Sequence, residues 1–272
     1  MRWINQHPGN GLRLALALMP FALVLIAYTI GSVERLAENP NDKLLPGLSA
    51  LADAVNRMAF MPEARTGNYL LWTDTAASLQ RLAGGLGLAT ALALLFGLII
   101  GVLPFARALF SPFVAAISMV PPLALLPILF IVMGLGEGSK IALIVIGVAP
   151  IIIRDLALTA ISLPRELIVK AETLSASSWQ IALRVVLPQI LPRLITTLRL
   201  QLGPAWLFLI AAEAISSDSG LGYRIFLVRR YLSMDVIFPY VIWITVLAVA
   251  TDILLDRLRI TFFPWSELEK GK

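Results

Sequence analysis

Long apolar runs dominate this chain and determine what it can fold into. Each run approaches or reaches about 20 residues, the length of helix that crosses the hydrocarbon core of a bilayer. Backbone polar groups in lipid must be paired within the chain, so such runs form helices rather than open sheets. The sequence therefore predicts an all-α, polytopic membrane protein with about six transmembrane helices, at residues 14–30, 82–104, 109–133, 141–161, 194–215 and 236–253.

The composition excludes several classes of function. The 272 residues are 58% hydrophobic and 14% charged, which is too apolar for an ordinary soluble domain. There is no cysteine for a disulfide or a thiolate metal site, and the single histidine is His7 in the N-terminal segment. No polar segment is long enough to be an enzyme domain, so we expect no catalytic residue, no metal and no cofactor bound by this chain. In a membrane protein the net charge of +5 indicates orientation rather than nucleic-acid binding.

The segments outside the predicted spans are short, with one exception. Residues 1–13 form a polar tail, and residues 31–77 form the longest segment between spans. Within that segment Leu48–Met58 is predicted to be a short amphipathic helix on the membrane surface. The first apolar run, 14–30, is long for a signal peptide and no small-residue cleavage site closes it cleanly. We therefore expect an uncleaved first span.

Charged residues predict the orientation of the spans. Six spans place both termini on one side of the membrane. Lys and Arg are more numerous in the short loops on that side, and the positive-inside rule assigns such loops to the cytoplasm. The tail 1–13 and the C-terminus are thus expected in the cytoplasm, with residues 31–77 on the outside.

Prolines and a carboxylate mark two spans as candidates for lining a pathway. Pro121, Pro122 and Pro127 interrupt the third span, and each breaks backbone pairing that a lipid-facing helix needs. The fifth span carries Trp206 and, near one end, Glu213. A carboxylate within a span indicates function, but near a helix end it costs less to insert. Glu213 is therefore either a pathway or gate residue or a solvated helix end. In the second span, Gly97 and Gly101 form a G-x-x-x-G pair that permits close helix packing.

Residues 163–192 form a polar-faced amphipathic stretch between spans. Pro164 suits the first turn of a helix that continues through Leu167, Ala171 and Leu174. The chain then breaks at Ser175–Ser178. Ser177 and Gln180 are spaced as a capping box, which predicts a second helix through Trp179 before Pro188 and Pro192. Its position between spans favours a docking element over an ordinary surface helix. By contrast, GLGEGSK (134–140) lacks the spacing of a phosphate-binding loop, which excludes nucleotide binding there.

Several of these segments together carry a family resemblance. The stretch AETLSASSWQIALRVVLPQILP (171–192) resembles the cytoplasmic coupling loop of ABC-importer permeases. Within these permeases, the chain more closely resembles the nitrate, sulfonate, taurine and bicarbonate class. The segments that carry this likeness are LLPGLSALADAV (44–55), MVPPLALLPILFIVMGLGEGSKIALI (119–144), AWLFLIAAEAISSDSGLGYRI (205–225) and FFPW (262–265).

The resemblance implies a type I ABC-importer permease, with a permease core at residues 82–265, in a bacterial inner membrane. Such a subunit pairs with a second permease copy, two cytoplasmic ATPase subunits that bind ATP and Mg, and a periplasmic or lipid-anchored substrate-binding protein. The substrate expected is a small anion or organic acid, and its path is expected at Pro121, Pro122, Pro127, Trp206 and Glu213. The ATPase-coupling residues implied are Leu167, Ala171, Glu172, Leu174, Ser175, Ala176, Trp179 and Pro188.

Two positions depart from the family's E-A-A-x-x-x-G pattern. Ser175 occupies the glycine position, so the triplet falls on Val169, Lys170 and Ala171 and its acid is missing. Glu166 and Glu172 lie one helical turn to either side, and either could replace it. Serine is tolerable at the glycine position only if the turn does not need a left-handed backbone.

The rival class is a secondary transporter or channel driven by an ion gradient. Such a protein needs acids buried within its spans. Apart from Glu213 and Asp252, the predicted spans are nearly free of acids, which favours the importer subunit.

Overall fold

The computed structural model of the chain describes residues 9–40, 42–64 and 67–268. These residues form helices and turns without a β-strand, which confirms the all-α class. Of the predicted tail 1–13, residues 1–8 lie outside the described residues. The helices are α1 (Asn10–Glu38), α2 (Leu48–Ala59), α3 (Leu70–Val102), α4 (Pro104–Ile117), a 3₁₀ turn (Pro122–Leu125), α5 (Leu126–Met133), α6 (Glu137–Ile161), α7 (Arg165–Thr173), α8 (Ser178–Ile181), a π-helical turn (Ala182–Val186), α9 (Leu187–Ser216), α10 (Leu221–Arg229), α11 (Met234–Phe262) and α12 (Trp265–Leu268).

Five described helices are long and apolar enough to cross a membrane. A sixth crossing is made if α4 and the segment Pro122–Met133, which are bent by 84° at a short break, count as one span. This agrees with about six predicted spans. The five helices are Gly11–Glu38, Leu70–Val102, Glu137–Ile161, Ser178–Ser216 and Met234–Phe262.

The observed bounds of the spanning helices differ from the predicted ones at two kinds of position: where polar residues of a helix are buried, and where two prolines are adjacent. The interval 109–133 is not one straight helix, because Pro121 and Pro122 lack the N–H groups that continue a helix and restrict the residues before them. Helix α3 begins at Leu70 rather than residue 82. Its first turns carry Asp74 and Arg81, which a search for apolar runs omits although both are buried.

The described residues divide into two compact units. The first contains α1, α2 and the start of α11. Helix α1 exposes most of its apolar side chains, and it is tied to the chain before α2 by hydrogen bonds from Tyr28 (2.6 Å) and Ser32 (3.2 Å) to the carbonyl of Pro46. The amphipathic helix predicted at Leu48–Met58 is observed as α2, and its location on the membrane surface stays a prediction.

The second unit is built around α6, which packs between α3 and α9. Leu143, Ile144, Val148, Ile152 and Leu156 on α6 are fully buried. Helix α3 runs parallel to α6 and α9 runs antiparallel to it. Since parallel neighbours start at the same end of the core, the chain between α3 and α6 must cross back. That crossing is made by α4 together with the segment Pro122–Met133, which we call the bent pair.

Small residues on α3 allow its close approach to α6. Gly97 faces Leu156, where an added Cβ would lie 2.8 Å from the Cβ of Leu156. Gly101 similarly faces Ala160, so the G-x-x-x-G prediction of close packing is confirmed. Gly87, on the same helix, has open space beside it. The contact is therefore specific to one face of α3.

The stretch between α6 and α9 forms a short helix, a tight turn and a second helix start. The predicted capping box is confirmed: the Ser177 hydroxyl accepts from the Gln180 N–H (3.3 Å), and the Gln180 side chain accepts from the Ser177 N–H (2.8 Å). Ser175 ends the first helix with φ of 61°. The turn therefore does require a left-handed backbone, and the condition set for a tolerable serine is not met. Such a backbone costs an L-residue about 1–2 kcal/mol relative to glycine.

The glycine contact predicts opposite effects for two substitutions on α3. We expect Gly97→Ala to lower the free energy of unfolding by about 1–3 kcal/mol, because the added methyl group overlaps Leu156. Gly87→Ala, the matched control, should be neutral or stabilising by up to about 1 kcal/mol, because it gains helix propensity without a clash. Thermal unfolding of both variants in one detergent provides the measurement. Equal melting temperatures would contradict the packing described here.

Candidate functional site

The segment from α7 to α8, Arg165–Ile181, presents large apolar side chains at its surface. Leu174 is 82% exposed and Trp179 is 69% exposed, although uncharged polar residues flank both in the sequence. The neighbouring Ile181 and Val186 are buried and anchor the segment to the core. Exposed tryptophan and leucine on a fixed, polar-faced segment are typical of a protein interaction surface. We call this segment the docking segment.

A cavity of about 480 Å³ separates the docking segment from the ends of three core helices. Gly101 of α3, Pro104 of α4 and Ala160 of α6 line one side, and Ile168 and Glu172 line the other. The corner between α3 and α4 is held by Arg107, which donates to the carbonyls of Ile100 (3.2 Å) and Gly101 (2.5 Å). The docking segment therefore lies across this cavity from the point where the bent pair begins.

The predicted coupling residues divide by exposure. Leu167, Glu172, Leu174, Ser175 and Trp179 are exposed, whereas Ala171 and Ala176 are half-buried. Pro188 lies apart from them in the first turn of α9 and is also half-buried. Of the two acids considered in place of the missing one, Glu172 lines the cavity and Glu166 does not.

A second cavity, of about 510 Å³, lies at the break in the bent pair. The break contributes Ser118, Val120 and Pro122, and glycines on two neighbouring helices, Gly147 of α6 and Gly203 of α9, line it as well. The hydroxyl of Ser118 donates to the carbonyl of Ala115 (2.8 Å), so it is already paired. The described lining is otherwise apolar. It offers space without a charged group.

The predicted pathway residues lie in different places. Pro122 lines the apolar cavity, and Pro121 and Pro127 flank it in sequence. Trp206 and Glu213 do not line it, because both are buried on another face of α9. Within the described part of the chain, the indole N–H of Trp206 has no hydrogen-bond acceptor.

Glu213 is fully buried, so its interpretation as a solvated helix end is wrong. Its carboxylate accepts from Arg81 Nη1 (2.7 Å), from the Ser78 hydroxyl (2.8 Å) and from the N–H of Gly222 (2.9 Å). The turn after α9 closes over it. Gly220 adopts φ of 128°, and an added Cβ would lie 2.5–2.7 Å from the carboxylate atoms. Only glycine allows the backbone so close.

Glu213 belongs to a larger set of charges that sequence reasoning missed. Arg81 also binds Glu137 of α6, and Asp74 pairs with Arg224 of α10 (2.8 Å) and accepts from the N–H of Gly220 (2.9 Å). The signal in the sequence was the presence of acids and bases in equal number at the ends of apolar helices. We call the following residues the Arg81 cluster: Asp74, Ser78, Arg81, Glu137, Lys140, Glu213 and Arg224.

Further ion pairs lie toward the other end of the core. Asp155 on α6 binds Arg193 on α9 (2.7 Å), and Arg199 on α9 binds Asp252 (2.7 Å) and Asp256 on α11. The acids within the core helices thus have basic partners. No group of three or more His, Cys, Asp or Glu side chains in the described residues could hold a metal ion.

Comparison with known proteins places this geometry in a family. The model of the family described as "Binding-protein-dependent transport system inner membrane component" matches residues 93–260. The taurine transport system permease protein TauC of Escherichia coli is 35% identical over 196 residues, which cover 72% of this chain and 71% of that protein. The bicarbonate transport system permease protein CmpB of Synechococcus elongatus is 32% identical over 190 residues, 69% of this chain and 66% of that protein.

A solved structure shares the fold. A chain from inward-facing conformations of the MetNI methionine ABC transporter superposes with a TM-score of 0.58 and 22% identity, over 70% of this chain and 93% of that chain. At this identity the likeness concerns the fold alone. The family match, by contrast, covers more than half of the present sequence. The chain therefore belongs to the inner membrane component family of binding-protein-dependent transport systems, as an ABC-transporter permease subunit without an ATPase of its own.

Proposed function

We propose that this permease forms the translocation pathway of an ATP-driven importer for a small anion or organic acid. In this proposal it works as a homodimer, with two ATPase subunits that bind ATP and Mg and a substrate-binding protein that is soluble in the periplasm or lipid-anchored. The substrate class is inferred from relatives named for taurine and bicarbonate transport. The docking segment faces the cytoplasm in this arrangement, as do both termini.

The observation that carries the proposal is the exposure of Leu174 and Trp179 on the docking segment. Burying a large apolar side chain contributes about 1.5–3 kcal/mol, so two such residues supply a substantial part of a binding interface. The segment is anchored to the core at Ile181 and Val186 and adjoins the start of the bent pair. ATP-driven movement of a partner bound here would be transmitted to that bent pair.

The apolar cavity at the break is the proposed pathway. Its wall is formed by the residues around Pro122 together with Gly147 and Gly203, so irregular backbone and small residues meet there. Irregular backbone at membrane depth persists only where protein or a water-filled space surrounds it. The second permease copy is expected to close the open side of this cavity.

The pairing of charges weighs against an ion-driven secondary transporter. A carboxylate that carries protons or sodium ions must be able to change its partners. In the described core, Glu213, Asp155 and Asp252 are each bound to an arginine. Arginine stays protonated, and it holds Asp155 and Asp252 in two-point geometry, which opposes such exchange. An external source of energy, the ATPase, is therefore the better explanation.

The docking role predicts which truncations release the ATPase. We expect Trp179→Ala and Leu174→Ala each to weaken ATPase binding by about thirtyfold, because interface anchors cost about 2 kcal/mol or more on truncation. Lys170→Ala, the control on the same exposed segment, should cost under about 1 kcal/mol. The measurement is the amount of ATPase that copurifies with each permease variant, together with uptake into vesicles. If only Lys170→Ala releases the ATPase, docking is electrostatic and the assignment of anchors is wrong.

The pathway role predicts a transport defect without misfolding. Pro122→Leu permits a more regular helix at the break, and we expect it to reduce uptake at least tenfold while the protein stays inserted and bound to its ATPase. Pro20→Leu, a replacement inside the exposed helix α1, is the control and should leave uptake within about twofold. Substrate uptake into vesicles at equal permease content decides the outcome. Normal uptake by Pro122→Leu would remove this cavity from the pathway.

A further inference from the structure

Two buried cations share one exposed carboxylate in the Arg81 cluster. The side chains of Arg81 and Lys140 are only 7% and 4% exposed, whereas that of Glu137 is 58% exposed. Arg81 donates to Glu137 through Nε (2.5 Å) and Nη2 (2.9 Å), and Lys140 Nζ donates to the same carboxylate (2.9 Å). Glu137 is therefore the solvent-facing member of this contact, and its removal would uncover two cations.

The charge balance shows what the removal of Glu137 leaves behind. Asp74 and Arg224 neutralise each other, and Glu213 stays with Arg81 because it is fully buried. Without the Glu137 carboxylate, Glu213 balances Arg81, and Lys140 loses the one acid that binds it in the described contacts, so one positive charge is uncompensated. Most of the surface of Arg81 and Lys140 is buried, so an uncompensated charge there is unfavourable and the opening that Glu137 leaves favours an anion.

The donor geometry indicates which anions suit the position. Two guanidinium N–H groups and an ammonium converge on two oxygens held by one atom. A free carboxylate, a sulfonate or another small oxyanion presents oxygens in the same way, and arginine favours this two-point contact. The position also lies at the first residue of the 25-residue helix α6, where the helix dipole favours negative charge.

We propose that Arg81 and Lys140 form a binding site for a small oxyanion, and that the chain's own Glu137 occupies this site in the structure. An incoming oxyanion displaces the Glu137 side chain into solvent. Helix α6 separates this site from the docking segment by roughly 36 Å. If the bound oxyanion is the transported substrate, the inference rests on the proposed import of an oxyanion. The site then lies at the end of the core where substrate arrives.

The test measures anion binding to the purified permease alone. Thermal unfolding is followed in detergent with increasing sodium methanesulfonate, against sodium chloride at equal concentration. Glu137→Ala vacates the site, and we expect methanesulfonate to raise its melting temperature by about 4 °C at ten times the dissociation constant. In the unsubstituted protein the attached carboxylate competes, so the apparent affinity should be at least tenfold weaker.

Three further variants make the result specific. The double variant Glu137→Ala/Lys140→Ala should lose the methanesulfonate-dependent shift. Asp42→Ala breaks the exposed Arg35–Asp42 pair of the first unit and should show no such shift, although it also releases an arginine. If Glu137→Ala does not fold, Glu137→Gln replaces it, because Gln keeps the shape and removes the charge.

A specific shift in the Glu137 variant supports the oxyanion site. The absence of a methanesulfonate-dependent shift in the Glu137 variant would overturn the proposal. An equal shift in the double variant or in Asp42→Ala would overturn it too. Either result would leave the Glu137 contact as a structural ion pair only. The experiment contains no ATPase and no binding protein, so a negative result does not bear on the docking proposal. Conversely, loss of ATPase docking would not change anion binding measured in this way.

Discussion

Arg81 is held by carboxylates from two other helices, because a guanidinium within an apolar core must be paired. Glu137 of α6, Glu213 of α9 and the carbonyl of Ser219 all bind it, so one side chain of α3 joins both neighbouring helices and the turn after α9. Removing Glu213 would leave the buried guanidinium without its fully buried partner, at a cost of about 3–5 kcal/mol. This constraint fixes the relative positions of α3, α6 and α9 at one end of the core.

Further along α3, α6 and α9, close packing and a second ion pair keep these helices together. Gly97 and Gly101 bring α3 against α6, and Asp155 bound to Arg193 ties α6 to α9 further along. The helices held in this way contrast with the bent pair, whose break interrupts its backbone pairing. The docking segment adjoins the start of that bent pair. The proposed coupling to an ATPase assigns the change of shape to this crossing rather than to the tied core helices.

Local features of the structure were predictable from the sequence and distant ones were not. Apolar length predicted the approximate number of spans, and the spacing of Ser177 and Gln180 predicted the capping box, because both signals lie within one continuous stretch of the chain. The side-chain partners of Glu213 are Ser78 and Arg81, more than 130 positions away, so only the fold reveals its burial. Likewise, a serine at position 175 does not indicate a left-handed backbone, since glycine, which has no Cβ, is the usual residue in that conformation.

The central claim is that energy enters through the docking segment, and photo-crosslinking tests it most directly. A photoreactive amino acid is placed at Leu174 in cells that produce the complete transport system, and at the exposed Val24 of α1 as the control. The proposed function predicts a covalent adduct between the permease and the ATPase from position 174 and none from position 24. An equally expressed Leu174 variant that forms no ATPase adduct would contradict the claim.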